Sequence, residues 1–298
     1  MEHVELGRTG RMVSRIGLGA LPLSFEGRPG RSAARQVVWR ALDLGVTLFD
    51  TADSYCLHAG EMGHNERLLR EALDSHPDGA AAVVATKGGI ARQGARMELN
   101  GHPSYLRRAC ERSLTALGVE AIDLYQLHSP DAAIPFTESV GALAELLAAG
   151  KVRAVGVSNV SVAQVRQAME IVPLTSVQNH YNPWDREAET SGMLQLCADS
   201  GITFLPHSPV GGARRVGLLR GSPGLAAVAR EHAASPVELV LAWLLARNPK
   251  LAAIPGASRV ASVESSVRAA DLRLDEATLA ALEQAFAALP EGGWSNAA

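Results

Sequence analysis

Short, mostly apolar runs recur along the chain, each separated from the next by enough residues for one helix. Eight of them read as strands: residues 15–18, 47–50, 82–87, 122–128, 152–158, 176–180, 203–207 and 252–255. They are apolar throughout rather than alternating, the pattern of parallel strands buried on both faces. Between them, apolar positions fall at helical spacing. Val37, Val38, Ala41 and Leu42 form one stripe, with Ser32 as its expected cap and Gly45 as its stop. Leu106, Cys110, Leu114 and Leu117 form a second, opened by Pro103 and closed by Gly118. Val140, Leu143 and Leu147 line a third, ended by Gly150. Residues 187–200, 236–247 and 260–270 read as further helices, and 275–289 as an amphipathic helix packed outside the rest. The segment before Arg15 reads as a hairpin turning between Gly7 and Gly10.

Eightfold alternation of strand and helix predicts an α/β fold: a (β/α)8 TIM barrel with an N-terminal β-hairpin and an extra C-terminal helix. The rival is an open doubly wound sheet, which calls for a glycine-rich fingerprint after an early strand. Gly17-Leu18-Gly19 comes nearest, but Leu23 stands where the third glycine belongs. The 298 residues suit one barrel, and no linker, repeat or low-complexity tract divides them, so residues 1–298 are expected to form a single domain.

Composition narrows the function classes. A net charge of −3 leaves no footprint for nucleic acid or an anionic membrane. No apolar run approaches the ~20 residues that span a bilayer, and the first residues lack a signal-peptide pattern. Cys56, Cys110 and Cys197 are odd in number and far apart, so a disulfide framework is not expected and a cytoplasmic setting is.

Barrel active sites lie at the C-terminal ends of the strands. Asp50 ends the second predicted strand, with Tyr55 beyond it; Lys87 ends the third and His128 the fourth. Lysine is rare here: of 28 basic residues only Lys87, Lys151 and Lys250 are not arginine. A charge at the mouth of an apolar barrel needs a partner, and adjacent strands bring Asp50 and Lys87 together. A structural ion pair is the plain reading. Tyr55 and His128 on the same rim favour chemistry instead: an ammonium beside a phenol lowers its pKa, and a neutral imidazole can hydrogen-bond a carbonyl oxygen.

Five blocks carry a family resemblance. Asp50-Thr-Ala-Asp-Ser-Tyr55, Thr86-Lys87-Gly88-Gly89, Asp123-Leu-Tyr-Gln-Leu-His128, Gly156-Val-Ser158-Asn159 and Ile254-Pro-Gly256-Ala-Ser258-Arg259 resemble the aldo-keto reductase signatures, in family order and over nearly the whole chain. The resemblance implies an oxidoreductase that reduces an aldehyde or ketone, a sugar among the candidates, with NADPH. It implies Asp50, Tyr55, Lys87 and His128 as catalytic residues, with Tyr55 the proton donor. It implies that Ser158, Asn159 and Gln178 hold the nicotinamide carboxamide, although Ser158 or Asn159 could instead start a helix. His207, Ser208, Pro209 and Gly212, at and beyond the end of the seventh strand, are implied as further cofactor contacts, as are Ile254, Pro255 and Gly256. Ser258 and Arg259 match the contacts to the NADPH 2′-phosphate. The partner is then a small carbonyl compound, with NADP(H) as cofactor. Alternatives from other classes are a nicotinamide-binding redox-sensor subunit with little turnover, and a lyase using Lys87 as a Schiff base.

Some positions depart from the pattern. His207 replaces a stacking aromatic ring, and a charged imidazole there would repel oxidised nicotinamide. Ser265 and Ser266 replace a Glu-Asn pair that contacts adenine. Gly211-Gly212 with Arg214 and Arg215 could approach a pyrophosphate or form an ordinary turn. His58, Glu61 and His64 invite a metal reading, but their spacing and Gly60 and Gly63 argue for a loop shaping the substrate pocket, and no metal is expected. Cys56 is expected to pack. Trp184 and Asp185 could line the pocket, with barrel packing the equal alternative for Trp184. Residues 211–224 read as a short connection, and Trp294 lies past the last helix, so an open site is expected.

Overall fold

The computed structural model describes residues 1–291; Trp294 lies outside them. The chain opens with an antiparallel hairpin, β1 (His3–Glu5) and β2 (Met12–Ser14). There follow β3 (Leu18–Gly19), α1 (Arg31–Asp43), β4 (Leu48–Asp50), α2 (His64–Asp74) and β5 (Val83–Gly88). A second antiparallel hairpin, β6 (Ile90–Gln93) and β7 (Arg96–Leu99), precedes α3 (Pro103–Leu117), β8 (Leu124–Leu127), α4 (Phe136–Ala148), β9 (Val155–Ser158), α5 (Val162–Ile171) and β10 (Leu174–Gln178). The remainder is α6 (Glu187–Thr190), α7 (Met193–Ser200), β11 (Thr203–Phe204), α8 (Ala213–Gly221), α9 (Pro223–Glu231), α10 (Pro236–Arg247), α11 (Val260–Arg268) and α12 (Glu276–Ala287).

One parallel sheet runs in the order β3-β4-β5-β8-β9-β10-β11. Residues 251–256 join its two edges: Leu251 bridges Phe204, Ala253 bridges Ile16 and Gly256 bridges Gly19, all in parallel. Gly17 N–H donates to the Ala253 carbonyl at 2.8 Å, and Ala252 N–H to the Phe204 carbonyl at 3.1 Å. The expected eighth strand is thus present as bridges, not as a continuous ladder. Pro255 has no N–H to extend it.

The two faces of each strand feed two cores. Leu48, Val83, Ala85, Leu124, Ala154 and Leu205 point into the barrel. Phe49, Val84, Tyr125 and Val155 point outward into a larger layer beneath the helices. Val4, Leu6 and Val13 of the first hairpin join the inner set, so the hairpin plugs the barrel's N-terminal end. Its turn approaches closely. Gly7, at φ +57°, donates to Thr203 Oγ1 at 2.7 Å, and a Cβ there would come within 2.8 Å of Thr175 Cγ2. With that end closed, the C-terminal rim is the open one.

The helices follow their sequence signals with local exceptions. Gly118 closes α3 in the left-handed conformation, and Ser235 with Glu238 forms a capping box on α10. Gly30, not Ser32, precedes α1, which therefore starts before its expected cap. Residues 187–200 are two helices, α6 and α7, because Gly192 sits at φ +81° between them. Ser161 caps α5, so neither Ser158 nor Asn159 starts that helix. The helix expected to reach 270 ends at Arg268 in a short 3-10 turn. Residues 211–224 are not a short connection: they hold α8 and the start of α9. Among the described residues no helix is long and apolar enough to cross a membrane.

Candidate active site

The strand register assembles the centre of the rim. Asp50 pairs with Ala85, and Lys87 lies two residues further along β5 on the same inward face. Lys87 Nζ is 2.6 Å from Asp50 Oδ2, 2.8 Å from the Thr51 carbonyl and 3.2 Å from the Tyr55 hydroxyl. The other Asp50 oxygen, Oδ1, accepts from Gln178 Nε2 at 2.8 Å. Both carboxylate oxygens are therefore engaged. Lys87, Asp50 and Tyr55 are 0, 3 and 7% exposed, so the ammonium, its counter-charge and the phenol share a low-dielectric site.

Burial and charge compete here. Burial pulls Lys87 down, but the Asp50 carboxylate, with the interaction with Tyr55, outweighs it and leaves Lys87 above its ordinary value. Burial also pushes the Tyr55 phenol up. Lys87 pulls it back, and the net shift is upward. This corrects the expectation of a lowered Tyr55 pKa: the ammonium is in place, but desolvation of the phenolate is the larger effect. Tyr55 is accordingly a neutral phenol around neutral pH, carrying its proton.

His128 follows β8 and meets the Tyr55 ring edge-on at 5.6 Å between centroids. Burial and the Lys87 charge push its pKa well below the ordinary histidine value, so it is neutral. Its Nδ1 is buried without a hydrogen-bond partner among the described residues. Asn159, after β9, takes a left-handed backbone at φ +57°. Such a residue is costly unless its surroundings hold it, and strain of this kind clusters at functional sites. Its Nδ2 donates to the His128 carbonyl at 2.9 Å and to Ser158 Oγ at 3.1 Å, and its Oδ1 lies 3.0 Å from His207 Nε2. His207 packs on His180 with centroids 3.9 Å apart. Burial, helped by His180, Lys87 and His128, keeps His207 well below its ordinary value.

The remaining sequence candidates spread along the same rim. Ser208 is also left-handed, at φ +50°, and its carbonyl accepts from Asn182 Nδ2 at 3.1 Å. Pro209 is buried beside it. Gly212, at φ +79°, precedes α8. The Ile254 side chain belongs to the inner core, leaving Pro255 and Gly256 to line the rim. Ser258 and Arg259 stand at the start of α11, with Arg259 exposed at its N-cap.

Other candidates are committed elsewhere. Arg28 clamps Glu61 with two bonds of 2.9 Å and holds its carboxyl near a pKa of about 2. His64 Nδ1 lies 2.8 Å from Ser24 Oγ. Among the described residues no group of three acidic, histidine or cysteine side chains is placed to hold a metal. Ser265 donates to Glu238 at 2.7 Å, and Ser266 is buried. Arg215 stacks on Trp184 at 4.9 Å. Cys56 is fully buried, as a packing role requires. A cleft of about 370 Å³ lined by Asp53, Glu66, Arg67 and Arg112 lies on the helical side at α2 and α3, away from the Tyr55–His128 rim.

The profile of the Aldo/keto reductase family matches residues 15–287. The chain belongs to this family. It is 33% identical to an aldo-keto reductase of Glycine max, over 98% of this chain and 90% of that protein. Among solved structures it is similar to a thermostable aldo-keto reductase crystallised with the inhibitor epalrestat (29% identity, 96% of this chain and 100% of that one, TM-score 0.80). It is also similar to a glycerol dehydrogenase of Gluconobacter oxydans (25% identity, 99% and 98% coverage, TM-score 0.84). This aldo-keto reductase is therefore an oxidoreductase on a TIM barrel, from a family that uses NAD(P)H on small carbonyl compounds.

Sequence reasoning missed two features of the site. The contact of Gln178 with Asp50 joins residues 128 positions apart and left no local signal. The β6–β7 hairpin lies directly beyond β5. The turn glycine Gly94 and the polar-apolar alternation Arg96-Met97-Glu98-Leu99 after it could have revealed it.

Proposed function

We propose that this aldo-keto reductase reduces an aldehyde or ketone to an alcohol by hydride transfer from NADPH, with Tyr55 as proton donor. One observation carries the reading: the Tyr55 hydroxyl stands 3.2 Å from a buried ammonium that Asp50 holds, facing a neutral His128. Bound NADPH supplies the hydride. Tyr55 holds the proton that the developing alkoxide needs. Lys87 stabilises the phenolate left behind, acting where charge develops in the transition state. Asp50 and the Thr51 carbonyl fix the Lys87 ammonium in place. His128, being neutral, can donate from its ring to the carbonyl oxygen without repelling a positive nicotinamide.

The rim fits the cofactor's chemistry. A carboxamide offers N–H donors at one end and an acceptor oxygen at the other. Gln178 Oε1 and the Ser158 hydroxyl proton are uncommitted among the described residues, so one can accept and the other donate. The N-terminus of α11, with Ser258 and Arg259 beside it, supplies N–H groups and a guanidinium suited to a phosphate. The N-terminus of α8 behind Gly211 and Gly212 offers N–H groups for a pyrophosphate. These features support NADPH over NADH.

The decisive experiment is a panel of aldehydes, ketones and sugars assayed by loss of NADPH absorbance, with Tyr55→Phe as the control. The proposal expects turnover in the wild type and a fall on the order of 10²–10⁴-fold in kcat for the variant, the usual worth of a positioned proton donor. Retained activity in Tyr55→Phe refutes the assignment. Tight NADPH binding without turnover across the panel supports the redox-sensor reading instead.

A further inference from the structure

Tyr55 sits on a loop, not on a strand, and something must hold that loop in register with Lys87. Arg92, on β6, faces it. Its Nε donates to the Ser54 carbonyl at 3.1 Å and its Nη2 to the Cys56 carbonyl, so one guanidinium grips the peptide groups on both sides of Tyr55. Its Nη1 donates to the Ala95 carbonyl at 2.7 Å, which ties that grip to the hairpin turn. The outer part of the loop is stitched to the same turn, because Ala59 N–H donates to the Gly94 carbonyl at 2.8 Å. The hairpin is anchored in turn: the Tyr105 hydroxyl of α3 donates to the Ile90 carbonyl at 3.0 Å.

The same guanidinium lies 5.2 Å from the centroid of Phe25, and the Phe25 ring meets Tyr55 edge-on at 5.9 Å. Arg92 thus acts on Tyr55 by two routes, through the backbone on either side and through the ring that packs against it. A planar fork with fixed donors suits two carbonyls two residues apart; a lysine ammonium offers one point and cannot fix both. We propose that Arg92 is a positioning residue that sets the distance of the Tyr55 hydroxyl from Lys87 by clasping the Ser54 and Cys56 carbonyls and backing Phe25. The proposal rests on Tyr55 being the proton donor.

The clasp lies outside the barrel sheet, on a two-stranded ribbon, so its removal leaves both hydrophobic cores intact. The test uses the full chain with Arg92→Ala and Arg92→Lys, each alone and combined with Tyr55→Phe. A displacement of about 1 Å at a reacting group can cost ~10²-fold, so kcat is expected to fall on the order of 10- to 100-fold in Arg92→Ala. Arg92→Lys should fall between it and the wild type. NADPH affinity, read by fluorescence in the absence of substrate, should be unchanged, because Arg92 touches none of the proposed cofactor residues. Guanidinium ion at sub-denaturing concentration should restore part of the kcat of Arg92→Ala and none of that of Arg92→Lys, whose side chain fills the gap. The Tyr55 titration, taken as the phenolate absorbance of each protein minus that of its Tyr55→Phe counterpart, should move to higher pH as the hydroxyl draws away from Lys87. A general loss of folding would not move that titration selectively. Unchanged kcat and an unchanged Tyr55 titration in Arg92→Ala, with Tyr55→Phe inactive, overturn the proposal and leave the proton-donor reading standing. An active Tyr55→Phe overturns the proton-donor reading and the proposal with it.

Discussion

Asp50→Asn separates charge from shape at the centre of the site. The variant keeps the side-chain volume. It can also keep the hydrogen bonds: Asn Oδ1 can accept from Lys87, and Gln178 can turn its amide so that Oε1 accepts from Asn Nδ2. What disappears is the counter-charge 2.6 Å from an ammonium with no exposed surface. Removing one partner of a buried ion pair typically costs about 3–5 kcal/mol, because the remaining charge is left desolvated. For a chain of 298 residues the unfolding entropy is about 0.6 kcal/mol per kelvin, so Tm should fall by about 5–8 °C.

The size of that deficit should depend on pH, and in a particular direction. In the wild type Lys87 lies above its ordinary value, so its contribution is constant below that value and is lost only as pH rises through the raised one. Without Asp50, burial dominates and Lys87 drops below its ordinary value. The unfolded chain then binds more protons between the two values, so the variant gains stability as pH rises across that window. Urea unfolding of both proteins from about pH 7 to about pH 10 should show the gap narrowing. A gap of constant size would refute the argument, since lost packing does not titrate. A variant as stable as the wild type at neutral pH would refute it more directly.

Asp53 offers the opposite sign: it is buried, neither oxygen has a hydrogen-bond partner among the described residues, and Arg112 is 3.6 Å away. Burial, with the Glu66 charge adding, raises its pKa well above the carboxyl range, so its folding penalty is absent in acid and grows as pH rises through the folded value. Asp53→Asn should therefore match the wild type near pH 4 and exceed it near pH 8 by on the order of 1–3 kcal/mol in urea unfolding; equal stability at both ends would sink the idea. Arg259→Gln should weaken NADPH binding by about 10- to 100-fold and leave NADH nearly unaffected, as loss of a charge-assisted phosphate contact would; equal losses for both cofactors would contradict the 2′-phosphate role. His207 is held well below its ordinary value, so NADP⁺ affinities of wild type and His207→Tyr should run parallel from about pH 6 to pH 8 and diverge only in more acid solution; divergence centred near pH 6.5 would show an imidazole that titrates normally.

What was legible in the chain is what strand periodicity controls. Asp50 and Lys87 each end an apolar run, and parallel register with alternating faces is enough to put them side by side inside a barrel. His128 follows the same logic one strand further on. Tyr55 could be assigned to the rim, but its distance from Lys87 depends on loop geometry that periodicity does not encode. Its pKa depends on the balance of desolvation against one nearby charge, and only packing density decides that balance, so the expected fall became a rise. Gln178 shows the same limit. Its strand-end position was readable, yet its commitment to Asp50 across the barrel was not, because the contact exists only once the sheet has closed. Ser265 stands where a contact to adenine was at issue, but a buried carboxylate on a neighbouring helix captures its hydroxyl first. In each case the strand supplies an address and the loop or the cross-barrel neighbour supplies the chemistry. Substrate specificity should accordingly be sought in the 54–61 loop and the β6–β7 hairpin that grips it, since these segments border the proposed proton donor and no strand register constrains them.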